Sequence, residues 1–372
     1  MKKFILKCMM AVSIPLLCIL PFLIVGFYSK EMYSPDKLIQ LHLESPEDTK
    51  FGLAYTDPAP YYKFKNIVIR EPKVLALGTS CVLQLKGSFF NEGQFYNGGR
   101  GVKNINEFLD YMEAVEEHGK LPEILIIGLD WDFFNDAWNG DLSVSTLDLS
   151  TPPLPISPVL KGMIPDFFQK KWNFSTVMAN NPSYIGINAS LKNNGFLKDG
   201  SYYHGFIYEF PEKQEDYEFK NTFWRMEKGT LRFEYGEHVD TKALECLETF
   251  LQYCTKKGIF VVGFTPPLAP TVLDKMETMG TKYGYVKEIP ESCSPLFSQY
   301  GFEYYDFLDL RSIGLDDSYF IDGFHASESA LAKMLLSMLD SGSILHPYIP
   351  ADYLQELYDN RASNILLHPY SW

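Results

Sequence analysis

Val74-Leu75-Ala76-Leu77 and Ile124-Leu125-Ile126-Ile127 are short, wholly apolar runs, closed by Gly78 and Gly128. A strand with one wet face alternates apolar and polar residues, so an unbroken run belongs to a strand covered on both faces, as in parallel sheets. Residues 259–264 form a third such run and 302–307 a weaker fourth. Helical periods lie between them. Val102, Ile105, Phe108, Leu109, Met112 and Val115 recur at three and four residues before Gly119. Ala243, Leu244, Leu247, Leu251 and Cys254 do the same between Asp240, a candidate cap, and Gly258. A last helix is expected over 330–339. The pattern predicts an α/β fold, a three-layer parallel sheet whose ligands collect at the carboxyl ends of its strands.

The chain ahead of this pattern is different. Lys2, Lys3 and Lys7 precede an uncharged run over 8–29, whose 22 residues would reach about 33 Å as a helix, against a hydrocarbon core of about 30 Å. The lysines place the N-terminus in the cytoplasm and the rest outside. The alternative is a cleaved signal peptide, whose apolar region is usually shorter and ends at a small-x-small site; the run's length and the absence of a convincing site near Phe27 favour the anchor. The expected organisation is therefore a cytoplasmic tip and transmembrane anchor over 1–30 and a Pro-, Tyr- and Asp-rich stalk over 31–70. A catalytic domain occupies 71–345 and a tail 346–372. Residues 131–237, rich in Asn, Gly, Pro and aromatics and without a period, read as an insertion over the carboxyl edge of the sheet.

Acidic residues outnumber basic ones 47 to 33, a net charge of −14, and no Lys/Arg run marks a nucleic-acid footprint. The six cysteines form no C-x-x-C pair, which argues against a disulfide framework or a zinc site. Asp130, Asp132 and Asp136 alternate with Trp131, Phe133 and Phe134, the pattern of an aromatic-packed loop more than of metal ligands. No metal or cofactor is expected.

Two strand-end motifs carry chemistry. The first strand runs into Gly78-Thr79-Ser80-Cys81, which exposes Ser80 at the carboxyl edge and turns its rival nucleophile Cys81 elsewhere. Asp322-Gly323-Phe324-His325 puts a carboxylate and an imidazole on one turn. Asp322 then holds one ring nitrogen of His325, and the other is left as general base for a hydroxyl that is a poor nucleophile unaided.

Together these motifs resemble the SGNH (GDSL-type) hydrolase superfamily, which sets its serine after the first strand and its Asp-x-x-His pair before the C-terminal helix. The resemblance implies a flavodoxin-like SGNH fold with Ser80, His325 and Asp322 as nucleophile, base and orienting acid. It also implies oxyanion donors from the Ser80 amide, a glycine (Gly98 or Gly99) and a third group at position 130. There the family's asparagine is replaced by Asp130, which cannot donate when ionised.

With the N-terminal anchor, the chain looks like the membrane-anchored SGNH-like proteins of bacterial envelope acylation. These include the D-alanine transfer protein of teichoic acids and exopolysaccharide O-acetyltransferases. The resemblance implies a single-pass protein of the bacterial membrane with an extracytoplasmic catalytic domain. Its partners would be an MBOAT-type acyl exporter in the membrane and a cell-surface polymer as acceptor. An esterase or deacetylase, and a non-catalytic glycan-binding or scaffold protein, are the alternatives.

Overall fold

Five strands assemble in the order β2-β1-β3-β4-β5, all parallel: β1 Val74–Gly78, β2 Phe95–Gly99, β3 Ile124–Gly128, β4 Phe260–Thr265 and β5 Glu303–Asp306. This computed structural model describes residues 17–179 and 184–368. Every residue of β1, β2 and β3 is buried. Because successive side chains alternate between faces, helices or loops must cover both. The three apolar runs became β1, β3 and β4, and the weak fourth became β5. β2 escaped the hydrophobic pattern because it reads Phe-Tyr-Asn-Gly-Gly, an asparagine and two glycines following its two aromatics.

The helices of this sheet unit that run to nine residues or more are α1 Ala59–Arg70, α2 Glu107–His118, α3 Lys220–Lys228, α4 Thr241–Lys257, α5 Pro270–Thr278, α6 Gly284–Gln299, α7 Glu328–Asp340 and α8 Ala351–Asp359. α4 begins and ends as its sequence dictates. Asp240 accepts from the Lys242 amide at 3.0 Å, and Gly258 at φ +73° closes the last turn. The period that starts at Val102 outruns its helix: Val102 and Ile105 are buried in the loop ahead of α2.

The chain divides into two compact units. The larger comprises residues 59–149, 199–202 and 206–372 and holds the five-stranded sheet. The smaller takes the chain up to residue 58 with 150–198 and 203–205. Residues 31–70 are therefore not a stalk. Pro35–Glu44 forms a helix capped by Ser34, Lys50–Phe51 is a strand of the smaller unit, and α1 packs on β2. The 346–372 tail contributes α8, whose Leu354 and Tyr358 are buried. The 131–237 stretch is shared between the units.

Inside the smaller unit, Lys50–Phe51 pairs with Tyr184–Ile185 in parallel and with residue 196 in antiparallel register. Phe22, Val25, Val159, Met163, Trp172 and Val177 form its core. Residues 17–28 are helical. Phe22 and Val25 face that core, while Leu17, Leu20, Ile24 and Phe27 stand 44–65% exposed. No helix among the described residues is long and apolar enough to cross a membrane. Lys2, Lys3, Lys7 and residues 8–16 of the expected 8–29 anchor lie outside the described residues.

Candidate active site

The strand order reverses direction between β1 and β3, the crevice where doubly wound sheets bind ligands. Ser80 lies there. β1 ends at Gly78 and the chain enters a single 3-10 turn, Ser80–Val82, whose Cys81 amide donates to the Thr79 hydroxyl at 3.4 Å. Val82 fills the space over the strand ends so closely that a Cβ at Gly128 would lie 2.6 Å from it. Asn97 on β2 clamps residues 82–85. Its Nδ2 donates to the Val82 and Leu85 carbonyls at 2.8 and 2.9 Å, and its Oδ1 accepts from the Gly99 amide at 2.8 Å. The Arg100 amide adds a bond to the Thr79 carbonyl at 3.0 Å. Ser80 is part-exposed between buried neighbours.

The second half of the site arrives from 245 residues downstream. Nε2 of His325 lies 2.7 Å from Ser80 Oγ, and Nδ1 lies 2.7 Å from Asp322 Oδ2. The carboxylate accepts the Nδ1 proton, which leaves Nε2 to accept from the serine hydroxyl. The other oxygen of Asp322 accepts from the Phe324 and His325 amides at 3.0 and 2.8 Å. Burial pushes the Asp322 carboxyl up, but the imidazole's charge, its hydrogen bond and the two amides outweigh that and hold it below the usual carboxylate range.

The loop carrying the pair is a narrow antiparallel pinch. The Ile321 amide donates to the His325 carbonyl at 2.8 Å, the Ser327 amide donates to the Tyr319 carbonyl at 2.9 Å, and Ser327 then caps α7. Segment 214–222 holds it from outside. Gln214 Nε2 donates to the Ile321 carbonyl at 2.9 Å, and Asp216 Oδ2 accepts from the Gly323 amide at 2.9 Å. Asp216 also binds the Thr222 amide and hydroxyl, both at 2.7 Å. A Cβ on Gly323 would meet Thr222 at 2.6 Å.

Sequence motifs thus placed Ser80, Asp322 and His325, and the structure brings all three into one hydrogen-bonded chain. The remaining candidates stand elsewhere. Gly98 and Gly99 lie inside β2, where a Cβ would strike the Ala76 carbonyl at 2.8 Å or Leu83 at 2.9 Å, and the Gly99 amide is already engaged by Asn97. Their glycine character answers to packing. Cys81 is buried, its sulfur 3.8 Å from the Phe324 carbonyl, and burial pushes its thiol well above its ordinary range. That is an inert thiol.

Asp130 is fully buried and acts as an acceptor: its Oδ2 takes the Thr79 hydroxyl and, at 2.7 Å, Arg232 Nη2. Arg232 also binds both oxygens of Asp132 at 2.7 Å, so the two aspartates share a guanidinium. Burial pushes the Asp132 carboxyl upward while Arg232 opposes it.

Arg232, Asp216 and Gln214 all come from the aperiodic stretch, where no sequence pattern singles them out. The one signal for Arg232 is indirect: two acids at a buried strand end demand a cation. Comparison with known protein families, curated proteins and solved structures finds no match.

Proposed function

We propose that the protein is a serine-dependent O-acyl transferase of the bacterial cell envelope. The observation that carries this reading is the chain Asp322–His325–Ser80, with 2.7 Å at both links and its serine part-exposed at the sheet's carboxyl edge. Ser80 Oγ attacks the acyl carbonyl as its proton passes to His325 Nε2. Asp322 stabilises the imidazolium, and the tetrahedral intermediate expels the donor's oxygen or sulfur, which takes that proton. The hydroxyl of a surface polymer then gives its proton to His325, attacks the acyl-serine and regenerates Ser80.

The acyl group is small, acetyl or D-alanyl, as the resemblance implies. An MBOAT-type partner would deliver it at the membrane. The exposed apolar stripe Leu17, Leu20, Ile24 and Phe27, which lies within the uncharged 8–29 run, supports membrane attachment. With water in place of the polymer, the same steps give an esterase.

The test uses the full chain in detergent and a fluorophosphonate probe, with the label located by mass spectrometry. Label on Ser80 that disappears in His325→Ala supports an activated serine, and failure of the wild type to label overturns it. Partition of an acetyl ester between water and an added polyol then separates transferase from esterase.

A further inference from the structure

None of the transfer steps above uses Arg232, yet the fold goes to some length to place it. Leu231 and Arg232 are consecutive non-glycine residues in the left-handed region, at φ +54° and +78°. L-residues adopt that conformation at an energetic cost, and such strain gathers where function holds it. The backbone is fixed there by the Trp131 indole, which donates to the Arg232 carbonyl at 2.9 Å.

The guanidinium then reaches both halves of the candidate dyad. On one side Nη2 binds Asp130 Oδ2, the oxygen that also accepts the Thr79 hydroxyl, and Thr79 caps the turn that presents Ser80. On the other side it lies 4.9 Å from the Trp131 ring and 5.7 Å from the Phe324 ring. Phe324 precedes the base, and its ring centroid is 4.3 Å from that of His325. Serine turn and histidine loop come from opposite ends of the sheet unit, and Arg232 touches a neighbour of each.

We propose that Arg232 is a positioning residue that keeps the Ser80 turn in register with the His325 loop, acting through Asp130 and Thr79 on one side and Phe324 on the other. The inference rests on the reading of Ser80 as nucleophile. It gives position 130 a role that Asp can fill and a hydrogen-bond donor cannot: a charged acceptor shared between Thr79 and a guanidinium. Lysine would keep the charge but lose the planar fork that holds Asp130 and Asp132 together.

The experiment is saturation kinetics of fluorophosphonate labelling at Ser80 in the full chain, beside thermal melting of each variant. Arg232→Ala and Thr79→Val are each expected to lower the limiting labelling rate at least tenfold. The half-saturating probe concentration should be unchanged, because geometry and not binding is disturbed. Thr79→Ser, which keeps the hydroxyl, should restore the rate to within about twofold. The double variant Thr79→Val, Arg232→Ala should be no slower than the worse single one, since both act along one path.

A folded Arg232→Ala that labels at the wild-type rate overturns the proposal and leaves the nucleophile assignment standing. So does a double variant whose loss is the product of the two. If Arg232→Ala does not fold, the Thr79→Val and Thr79→Ser pair decides: equal rates in both overturn it. A wild-type chain that takes no label on Ser80 overturns the nucleophile, and the inference with it.

Discussion

The serine turn and the histidine loop meet at one hydrogen bond but are held in opposite ways. Around Ser80 most supports come from the sheet, with Arg232 reaching in from outside it: Asn97 lies on the neighbouring strand, and Gly78 and Gly128 make room for Val82. Around His325 they come largely from segment 214–222, which belongs to no strand. Ser80, the proposed nucleophile, is built on strand ends and is rigid because the core is rigid. His325, the proposed base, is built on a loop and is rigid only as long as its outside brace stays in place. Damage to the Asn97 clamp should therefore be read in stability, and damage to the 214–222 brace in activity.

The largest effects test whether the two halves form one device. Ser80→Ala and His325→Ala should each abolish the proposed acyl transfer, about 10⁶-fold by analogy with removing one member of a triad, and the double variant should be no worse. Additive losses in a steady-state assay would break the unit into independent parts. Asp322→Asn should cost about 10⁴-fold, because the imidazole tautomer is no longer fixed.

Next come the supports. Asp216→Ala leaves the triad intact and releases the Gly323 amide, Thr222 and one brace of the loop. The expected result is about a tenfold to hundredfold loss of rate from misplacement alone, with faster amide exchange over 319–327 and little change in melting. Asn97→Ala takes the side-chain partner from the buried Leu85 carbonyl and from the Gly99 amide, and leaves the Val82 carbonyl with the Leu85 amide alone. It should cost about 2–4 kcal/mol of stability, visible as a lower melting temperature. If Asp216→Ala destabilised the fold more than Asn97→Ala, the contrast between the two supports would be wrong.

The smallest effect is a pH dependence. Asp322 is held below the ordinary carboxylate value, so its contribution to stability is fully present above about pH 4, the unfolded value. It is lost as pH falls through the lower folded value. Urea unfolding at pH 5 and pH 2.5 should show a larger acid loss in the wild type than in Asp322→Asn. Equal losses would mean that the native environment does not favour the ionised form.

Much of the larger unit was legible because its signals are local. β1, β3, β4, α2 and α4 announce themselves by unbroken or 3.6-residue apolar periods, and Ser80 and Asp322-x-x-His325 each occupy a single turn. β2 was not legible: Gly98 and Gly99 were the candidates for an oxyanion hole, whereas in the structure they pass close to their neighbours and Asn97, which no motif singled out, clamps the turn. Arg232 and Asp216 were invisible for a related reason. Each acts on a partner about 100 residues away, through contacts that leave no period in the chain. The smaller unit hid itself by being discontinuous, since its two main pieces are separated by three strands of the sheet.

The approach of Thr222 to Gly323 constrains how such a chain can be inherited or rebuilt. With 2.6 Å between the position of a Cβ on Gly323 and the threonine, neither partner can be exchanged alone for something larger. Asp216, Thr222 and the Asp322–His325 loop form a set that must be transferred whole. A shortened protein that kept the sheet, Ser80, Asp322 and His325 but trimmed the middle stretch would carry all three reactive groups and still lose the alignment between them. Grafts from related chains should work only when the 214–232 stretch travels with the loop it braces.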